Sequence, residues 1–322
     1  INPEYSEVYY NLALIYSSLE LFDKALEVYD KWISQQPNNP VIFNNRAHIY
    51  IKSGEHEKAL RDFTKCLELD PFHIAAFVNR AELFHESDEY EKALLDLSKC
   101  IEINNKYFEA FHRRGQIYYD LGDYHKALVE WAKCIELDDE SYLVYWRRGL
   151  AFAELEEFEI AIDEYTKCID VNPDFILGYN NRAFVYRQNQ QIDLSLADYT
   201  NCFKIDSAYA HGYYSRANLF LELGEYDKAL QDYKTCLTID PSKAFAHNNR
   251  GNIFLTLGES EKAIEEFSKA IEIDPEYSRA YLNRAIIFEQ LEDYQMALED
   301  YDNCIKDNPT YAKAYNKKEE IP

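Results

Sequence analysis

From residue 6 onward the same 34-residue pattern recurs nine times without insertion or deletion, in units beginning at residues 6, 40, 74, 108, 142, 176, 210, 244 and 278. A unit of that length is one supersecondary element, too small to bury its own apolar face, so its stability has to come from stacking on its neighbours. With positions in each unit numbered 1 to 34, position 8 is always small: Ala13, Ala47, Ala81, Gly115, Gly149, Ala183, Ala217, Gly251 and Ala285. Position 11 is always aromatic, from Tyr16 to Phe288; position 20 is Ala except for Ser195, and position 24 is aromatic except for Leu97. Positions 4, 8 and 11 make an i, i+4, i+7 stripe, which predicts a helix A over positions 1 to 14 and a helix B over about positions 18 to 31. Gly54, Gly122, Gly224 and Gly258 can take the positive φ that ends helix A, and Pro at position 32 of six units stops helix B.

The expected fold is all-α: an α-solenoid of nine helix-turn-helix repeats spanning 6–311 (6–39, 40–73, 74–107, 108–141, 142–175, 176–209, 210–243, 244–277 and 278–311). Residues 312–322 begin a further helix, a partial tenth repeat. Twenty-eight Tyr and eighteen Phe beside only nine Gly suit helices that use rings as packing units. The start at INPEYSEVYY, without Met and five residues before a repeat, reads as an excerpt of a longer chain.

The formal charge of −24 argues against nucleic acid, because a phosphate backbone needs a basic stripe to release its counterions. No run of 18 apolar residues appears, so no membrane insertion is expected. Seven Cys fall at position 27 (Cys66, Cys100, Cys134, Cys168, Cys202, Cys236, Cys304), with Ala270 in the remaining register slot of that series. Equivalent atoms of stacked hairpins lie roughly 8 to 10 Å apart, beyond the reach of about 7 Å between Cα atoms that a disulfide allows. The thiols should be free, buried filler, as suits a reducing, cytoplasmic compartment.

Position 7 is Leu12 in the first unit and Arg in the other eight: Arg46, Arg80, Arg114, Arg148, Arg182, Arg216, Arg250 and Arg284. Position 23 is acidic in those same eight (Asp62, Asp96, Glu130, Glu164, Asp198, Asp232, Glu266, Asp300) and Val28 in the first. The two positions change together within one unit, which predicts a salt bridge inside each repeat.

The order aromatic, small, aromatic, Ala, aromatic, Pro at these offsets resembles the tetratricopeptide repeat family over residues 6–311, apart from the Arg at position 7. The resemblance implies a right-handed superhelix whose inner face is lined by positions 2, 5, 6, 9, 12 and 13 of helix A. It also implies a non-catalytic protein-protein interaction scaffold that holds an extended or helical segment of another protein in a concave groove.

Three candidate subsites follow. Position 6 carries Asn11, Asn45, Asn79, Asn181, Asn249 and Asn283, interrupted by Arg113, Arg147 and Ser215. An amide donates and accepts at once, so such a row can grip a peptide backbone; it is similar to the Asn ladder of O-linked N-acetylglucosamine transferases. Toward the C-terminus Asn252, Asn283 and Lys313 resemble part of the carboxylate clamp of chaperone cochaperones, with Lys317 in the place of an Arg and Asn248 in that of a Lys. In mid-chain Leu143, Trp146, Leu150, Leu177 and Phe184 offer apolar anchors beside Arg113 and Arg147.

No catalytic or metal motif occurs in the sequence, so neither catalytic residues nor cofactors are expected. Two other readings remain open at this point: an architectural component of a large cytoskeletal or ciliary assembly, and the repeat domain of a longer enzyme such as a glycosyltransferase.

Overall fold

The computed structural model describes residues 3–307 and 312–321, which form helices and turns without a strand. Helices A are α1 (Pro3–Ser18), α3 (Pro40–Lys52), α5 (Ile74–Glu86), α7 (Phe108–Asp120), α9 (Tyr142–Glu154), α11 (Ile176–Gln188), α13 (Ala210–Glu222), α15 (Ala244–Thr256) and α17 (Ser278–Gln290). Helices B are α2 (Phe22–Gln35), α4 (His56–Leu69), α6 (Tyr90–Ile103), α8 (Tyr124–Leu137), α10 (Phe158–Val171), α12 (Ile192–Ile205), α14 (Tyr226–Ile239), α16 (Ser260–Ile273) and α18 (Tyr294–Asp307). A last helix, α19 (Ala312–Glu319), packs on α18. From the second repeat on, helix A covers positions 1 to 13 and helix B positions 17 to 30, one residue earlier at each helix B boundary than the periodicity suggested. The chain is an α-solenoid in two compact units, Ile1–Glu157 and Phe158–Pro322, and within each of them successive helices pack on one another.

The small and aromatic positions explain that packing. At position 24 the rings of Tyr29, Phe63, Trp131, Tyr165, Tyr199, Tyr233, Phe267 and Tyr301 are fully buried, each worth about 1.5 to 3 kcal/mol of apolar burial. Position 8 has to be small because it faces that ring: a Cβ on Gly115 would lie 2.4 Å from the Trp131 indole nitrogen, and one on Gly251 would lie 2.7 Å from the Phe267 ring. Ser195, the exception at position 20, is buried with its hydroxyl donating to the Ala183 carbonyl at 2.7 Å across the hairpin. All seven thiols are free and buried. Those of Cys100, Cys134 and Cys202 donate to the first carbonyl of their own repeat at 3.7 to 3.8 Å, and burial pushes the three up to about 12.

Turn chemistry is more uniform than the sequence shows. Position 15 has positive φ in all nine repeats: the four glycines at 73° to 78°, and Glu20, Asp88, Glu156, Gln190 and Glu292 at 56° to 61°. Past helix B, the Asp or Asn at position 31 accepts from the backbone N–H two residues on, as Asp70 does from Phe72, Asn104 from Lys106 and Asp206 from Ala208. Part of the chain's acidity therefore closes the loops between repeats.

The Arg at position 7 is paired within its own repeat, as expected, at Arg46, Arg80, Arg114, Arg182, Arg216, Arg250 and Arg284. Asp62, Asp96, Asp198, Asp232 and Asp300 each take two hydrogen bonds, from Nε and Nη2, at 2.6 to 2.9 Å. The same guanidinium also reaches the preceding repeat. Nη1 donates to position 25 there, from Arg46 to Asp30, Arg80 to Thr64, Arg114 to Ser98, Arg182 to Thr166 and Arg284 to Ser268, at 2.6 to 3.2 Å. Rings at positions 4 and 11 flank it, as Phe43 and Tyr50 flank Arg46 at 5.7 and 5.6 Å. The Arg is thus a joint between repeats as well as a bridge within one. In the tenth repeat Lys318 takes the same position and pairs with Asp302 at 2.5 Å.

Candidate functional site

Helix A carries the candidate polar row at position 6. The Asn row is half-buried at Asn45, Asn79, Asn181, Asn249 and Asn283 and exposed at Asn11. Its amides are largely engaged with one another. The Asn79 amide nitrogen donates to Asn44 at 3.4 Å and approaches the His48 ring at 3.1 Å. Asn249 donates to Asn218 at 3.0 Å, and Asn283 donates to Asn248 and Asn252, both at 3.0 Å. Asn45 and Asn181 accept from Asn44 and Asn180 at 3.2 and 3.3 Å. Three of the six amides, those of Asn79, Asn249 and Asn283, therefore donate to the previous helix A.

At the C-terminal subsite Asn248 is buried, Asn252 and Asn283 are half-buried, and Lys313 is exposed. Lys317 pairs with Glu320 at 2.8 Å and Glu289 at 3.4 Å, and Tyr301 donates to the other Glu289 oxygen at 2.7 Å. Two of the protein's own carboxylates thus occupy Lys317. In the second unit Phe184 is exposed under the Arg187 guanidinium, 5.9 Å from its ring, and Leu177 is half-buried.

The first unit contains a concavity of about 220 Å³ between α5, α7 and α9. Arg113 and Arg147, both at position 6, line it together with Glu82, Glu109, His112 and Gln116. The two guanidinium groups differ sharply. Arg113 donates to Glu109 at 2.5 Å and lies 2.9 Å from Glu82; burial alone would lower its pKa, but those two carboxylates more than offset this and raise it. Among the described residues Arg147 has no carboxylate within ion-pair distance, its Nε is buried without an acceptor, and burial pulls its pKa down. Its guanidinium lies 5.8 Å from the half-buried Trp146 ring, and Leu143, one turn away, is exposed.

His112 and Gln116 were not singled out from the sequence. Burial, then the Arg147 charge, lowers the pKa of His112. Gln116 donates to Asp120 at 2.7 Å, and the other Asp120 oxygen meets the His85 ring at 2.8 Å. The available signal was positional, since His112 and Gln116 hold positions 5 and 9, among those the family resemblance assigns to an inner face. Among the described residues no cluster of His, Cys, Asp and Glu could hold a metal ion, and no helix is long and apolar enough to cross a membrane.

Comparison with known proteins follows the same lines. Tetratricopeptide repeat profiles match residues 6–39, 74–107 and 142–175, residues 40–73 and 244–277, residues 108–141, and residues 266–299, and a TPR repeat profile matches 217–258. No curated protein sequence matches the chain. Among solved structures, yeast Tom70 is similar with a TM-score of 0.53 and 14% identity over 99% of this chain and 96% of that one. The C-terminal part of a TPR repeat-containing protein from Cytophaga hutchinsonii has a TM-score of 0.54 and 17% identity over 85% of this chain and 98% of that one. MamA from residue 41 onward, from Desulfovibrio magneticus, has a TM-score of 0.50 and 17% identity over 53% and 96%. At such identities the likeness is one of fold, and with the profile matches spanning both units the chain belongs to the tetratricopeptide repeat family.

Proposed function

We propose that the protein is a non-catalytic interaction scaffold that docks a segment of another protein on its helix A face. The observation that carries this reading is the concavity between α5, α7 and α9, where a half-buried guanidinium without an ion-pair partner sits beside an aromatic ring and an exposed Leu. Such a combination of an apolar anchor and an unspent donor is what a partner side chain can complete. The other position-6 residues support the same segment less directly, because the amides of Asn79, Asn249 and Asn283 already donate to the previous helix A.

A photo-crosslinking residue at Leu143 tests the reading. Adducts should form with one partner segment and disappear on Arg147→Ala. Crosslinks that survive that substitution, or that arise only from the opposite helix layer, would remove the helix A face from consideration.

An architectural role has its own supporting observation. Phe72 is 72% exposed and Leu95 62% exposed, and both line an open groove of about 610 Å³ that also includes Phe77 and Ile103. Crosslinks from Leu95 with loss of assembly on Phe72→Ser would favour that role over groove binding.

A further inference from the structure

The joint between α14 and α15 lacks an oxygen that five of its counterparts use. In those joints Nη1 of the position-7 Arg donates to a side-chain oxygen at position 25 of the preceding repeat, at 2.6 to 3.2 Å. The acceptor is a hydroxyl in four of them and the Asp30 carboxylate in the fifth. In repeat 7 position 25 is Lys234, which puts a cation where the acceptor would stand. Arg250 donates from Nη2 to Glu266 at 2.5 Å, and among the described residues its Nη1 meets no acceptor. The Glu at position 23 is not the cause. Arg114 also gives Nη2 to a Glu, Glu130, and still donates Nη1 to Ser98 at 3.2 Å.

Arg250 and Lys234 line one open concavity of about 350 Å³, together with Asp227, Leu230, Gln231 and Phe254. The register places the two cations side by side, because the Lys234 stem starts from the position whose hydroxyl touches Nη1 in other repeats. Both are within reach of an incoming group. The Arg250 side chain is 19% exposed and only its Nε is a buried atom without an acceptor, so Nη1 is open to the concavity. Lys234 is exposed, and among the described residues no carboxylate lies within ion-pair distance of it.

Three chemistries can be compared. A neutral carbonyl or hydroxyl would satisfy Nη1 and leave the Lys234 charge unmatched. A phosphate dianion would exceed the charge on offer, since Glu266 already balances Arg250 and Asp227 lines the far end, seven residues before Lys234 and about 10 Å along α14. A carboxylate carries one charge and two acceptor oxygens, one for each cation. The Arg46–Asp30 contact at 2.6 Å shows that a joint of this kind has room for one.

We propose that the α14–α15 concavity binds the carboxylate of an acidic side chain on a partner segment. One oxygen accepts from Arg250 Nη1, the other pairs with Lys234, and the side-chain methylenes lie against Leu230 and Phe254. The bound group supplies from outside the oxygen that other joints draw from the chain itself, so binding ties α15 to α14. These residues are not those of the helix A docking face, and the two sites stand or fall separately.

The test uses the full chain with 15N-labelled arginine side chains, the Arg250 signal being assigned by its loss in Arg250→Lys. At ionic strength held constant with sodium chloride, N-acetylglutamate N-methylamide should shift that signal saturably. The glutamine analogue, of the same shape without the charge, should bind about tenfold more weakly. Lys234→Met keeps the stem and removes the charge, and should weaken the glutamate probe about fivefold. Lys234→Thr provides an internal oxygen and should abolish the shift; retained signals from the other arginines show that each variant is folded. Amide hydrogen exchange in α15 should slow with the glutamate probe in the parent chain and not in Lys234→Thr. Equal binding of the glutamine probe, or an unchanged affinity in Lys234→Met, removes recognition of the charge and overturns the proposal. Tighter binding of N-acetylphosphoserine N-methylamide makes this a phosphate site and overturns it too. Shifts that sodium chloride alone reproduces, or no shift with any probe, show that no carboxylate seats there.

Discussion

Repeats 2 and 4 use the same Arg and differ by one methylene in its partner. In repeat 2, Asp62 faces the guanidinium squarely and takes Nε and Nη2 at 2.7 Å each. In repeat 4, Glu130 takes only Nη2 of Arg114, at 2.8 Å, and Arg114 Nε is buried without an acceptor. Repeat 8 repeats the pattern of repeat 4: Glu266 takes Arg250 Nη2 at 2.5 Å and leaves Arg250 Nε unmatched. There the second carboxylate oxygen has found another donor, the His247 ring at 2.8 Å. The extra methylene swings the carboxylate past the fork of the guanidinium, so charge complementarity survives while the two-point geometry is lost. Repeat 1, with Leu12 and Val28, dispenses with both. The lesson is that acidity at position 23 is not one property: Asp locks the joint and Glu only neutralises it.

That comparison can be broken or sharpened in order of effect. Removing the buried partner, as in Asp62→Ala, leaves the half-buried Arg46 guanidinium with only the exposed Asp30 and should lower stability by about 3 kcal/mol, read from denaturant unfolding with hydrogen exchange to locate the loss in α3 and α4. A change within about 0.5 kcal/mol would show that the pair is not a stabilising element. Converting repeat 2 into repeat 4 with Asp62→Glu should strand one buried donor and cost about 1 to 3 kcal/mol. The reverse change, Glu130→Asp, should restore the second bond and add about 1 kcal/mol; a loss there would mean that the backbone, rather than side-chain length, sets the geometry.

A pH series separates repeat 8 from repeat 4. Burial acts to raise the pKa of Glu266, but hydrogen bonds from His247 and Arg250 and the guanidinium charge outweigh it, so its folded pKa lies below the ordinary carboxylate value. Its contribution should be complete above the ordinary carboxylate range and be lost as pH falls through the lower folded value. Unfolding curves from neutral to acidic pH should show a smaller acid loss for His247→Ala than for the parent chain. The smallest effect is expected from the double change Arg46→Leu with Asp62→Val, which copies repeat 1. It should stay within about 1 kcal/mol of the parent because both charges leave together, and a loss as large as that of Asp62→Ala would mean that Asp30 and the flanking rings, rather than Asp62, carry the joint.

Much of this was legible before any coordinates. The 34-residue register gives the hairpins because small and aromatic positions recur at helical spacing, and Arg46 with Asp62 is readable because both are replaced together, by Leu12 and Val28, in repeat 1. The third arm of the Arg was not readable. Its acceptors, Asp30, Thr64, Ser98, Thr166 and Ser268, share only an oxygen at the right place, and a letter pattern does not register that. The positive φ at Glu20 or Gln190 was hidden for a related reason, since the tight turn is imposed by the hairpin on whatever residue stands there. At the candidate site the sequence could place Asn79 and Asn283 on one face but not show that their amide hydrogens are committed to the preceding helix. The contrast between Arg113 and Arg147 depends on where Glu82 and Glu109 lie in three dimensions, which spacing alone does not specify.

The three-armed Arg also bears on how the protein yields to force. Where the Arg reaches an oxygen at position 25, as Arg46, Arg80, Arg114, Arg182 and Arg284 do, helix A is fastened to the helix B before it and the joint resists peeling with an added clasp. Repeats 4 and 7 have Ala132 and Lys234 at that place, side chains that offer no acceptor. A chain stretched from its ends should therefore open first at the joints without the clasp, α8–α9 and α14–α15 among them, and a Lys234→Thr substitution should strengthen the second of these.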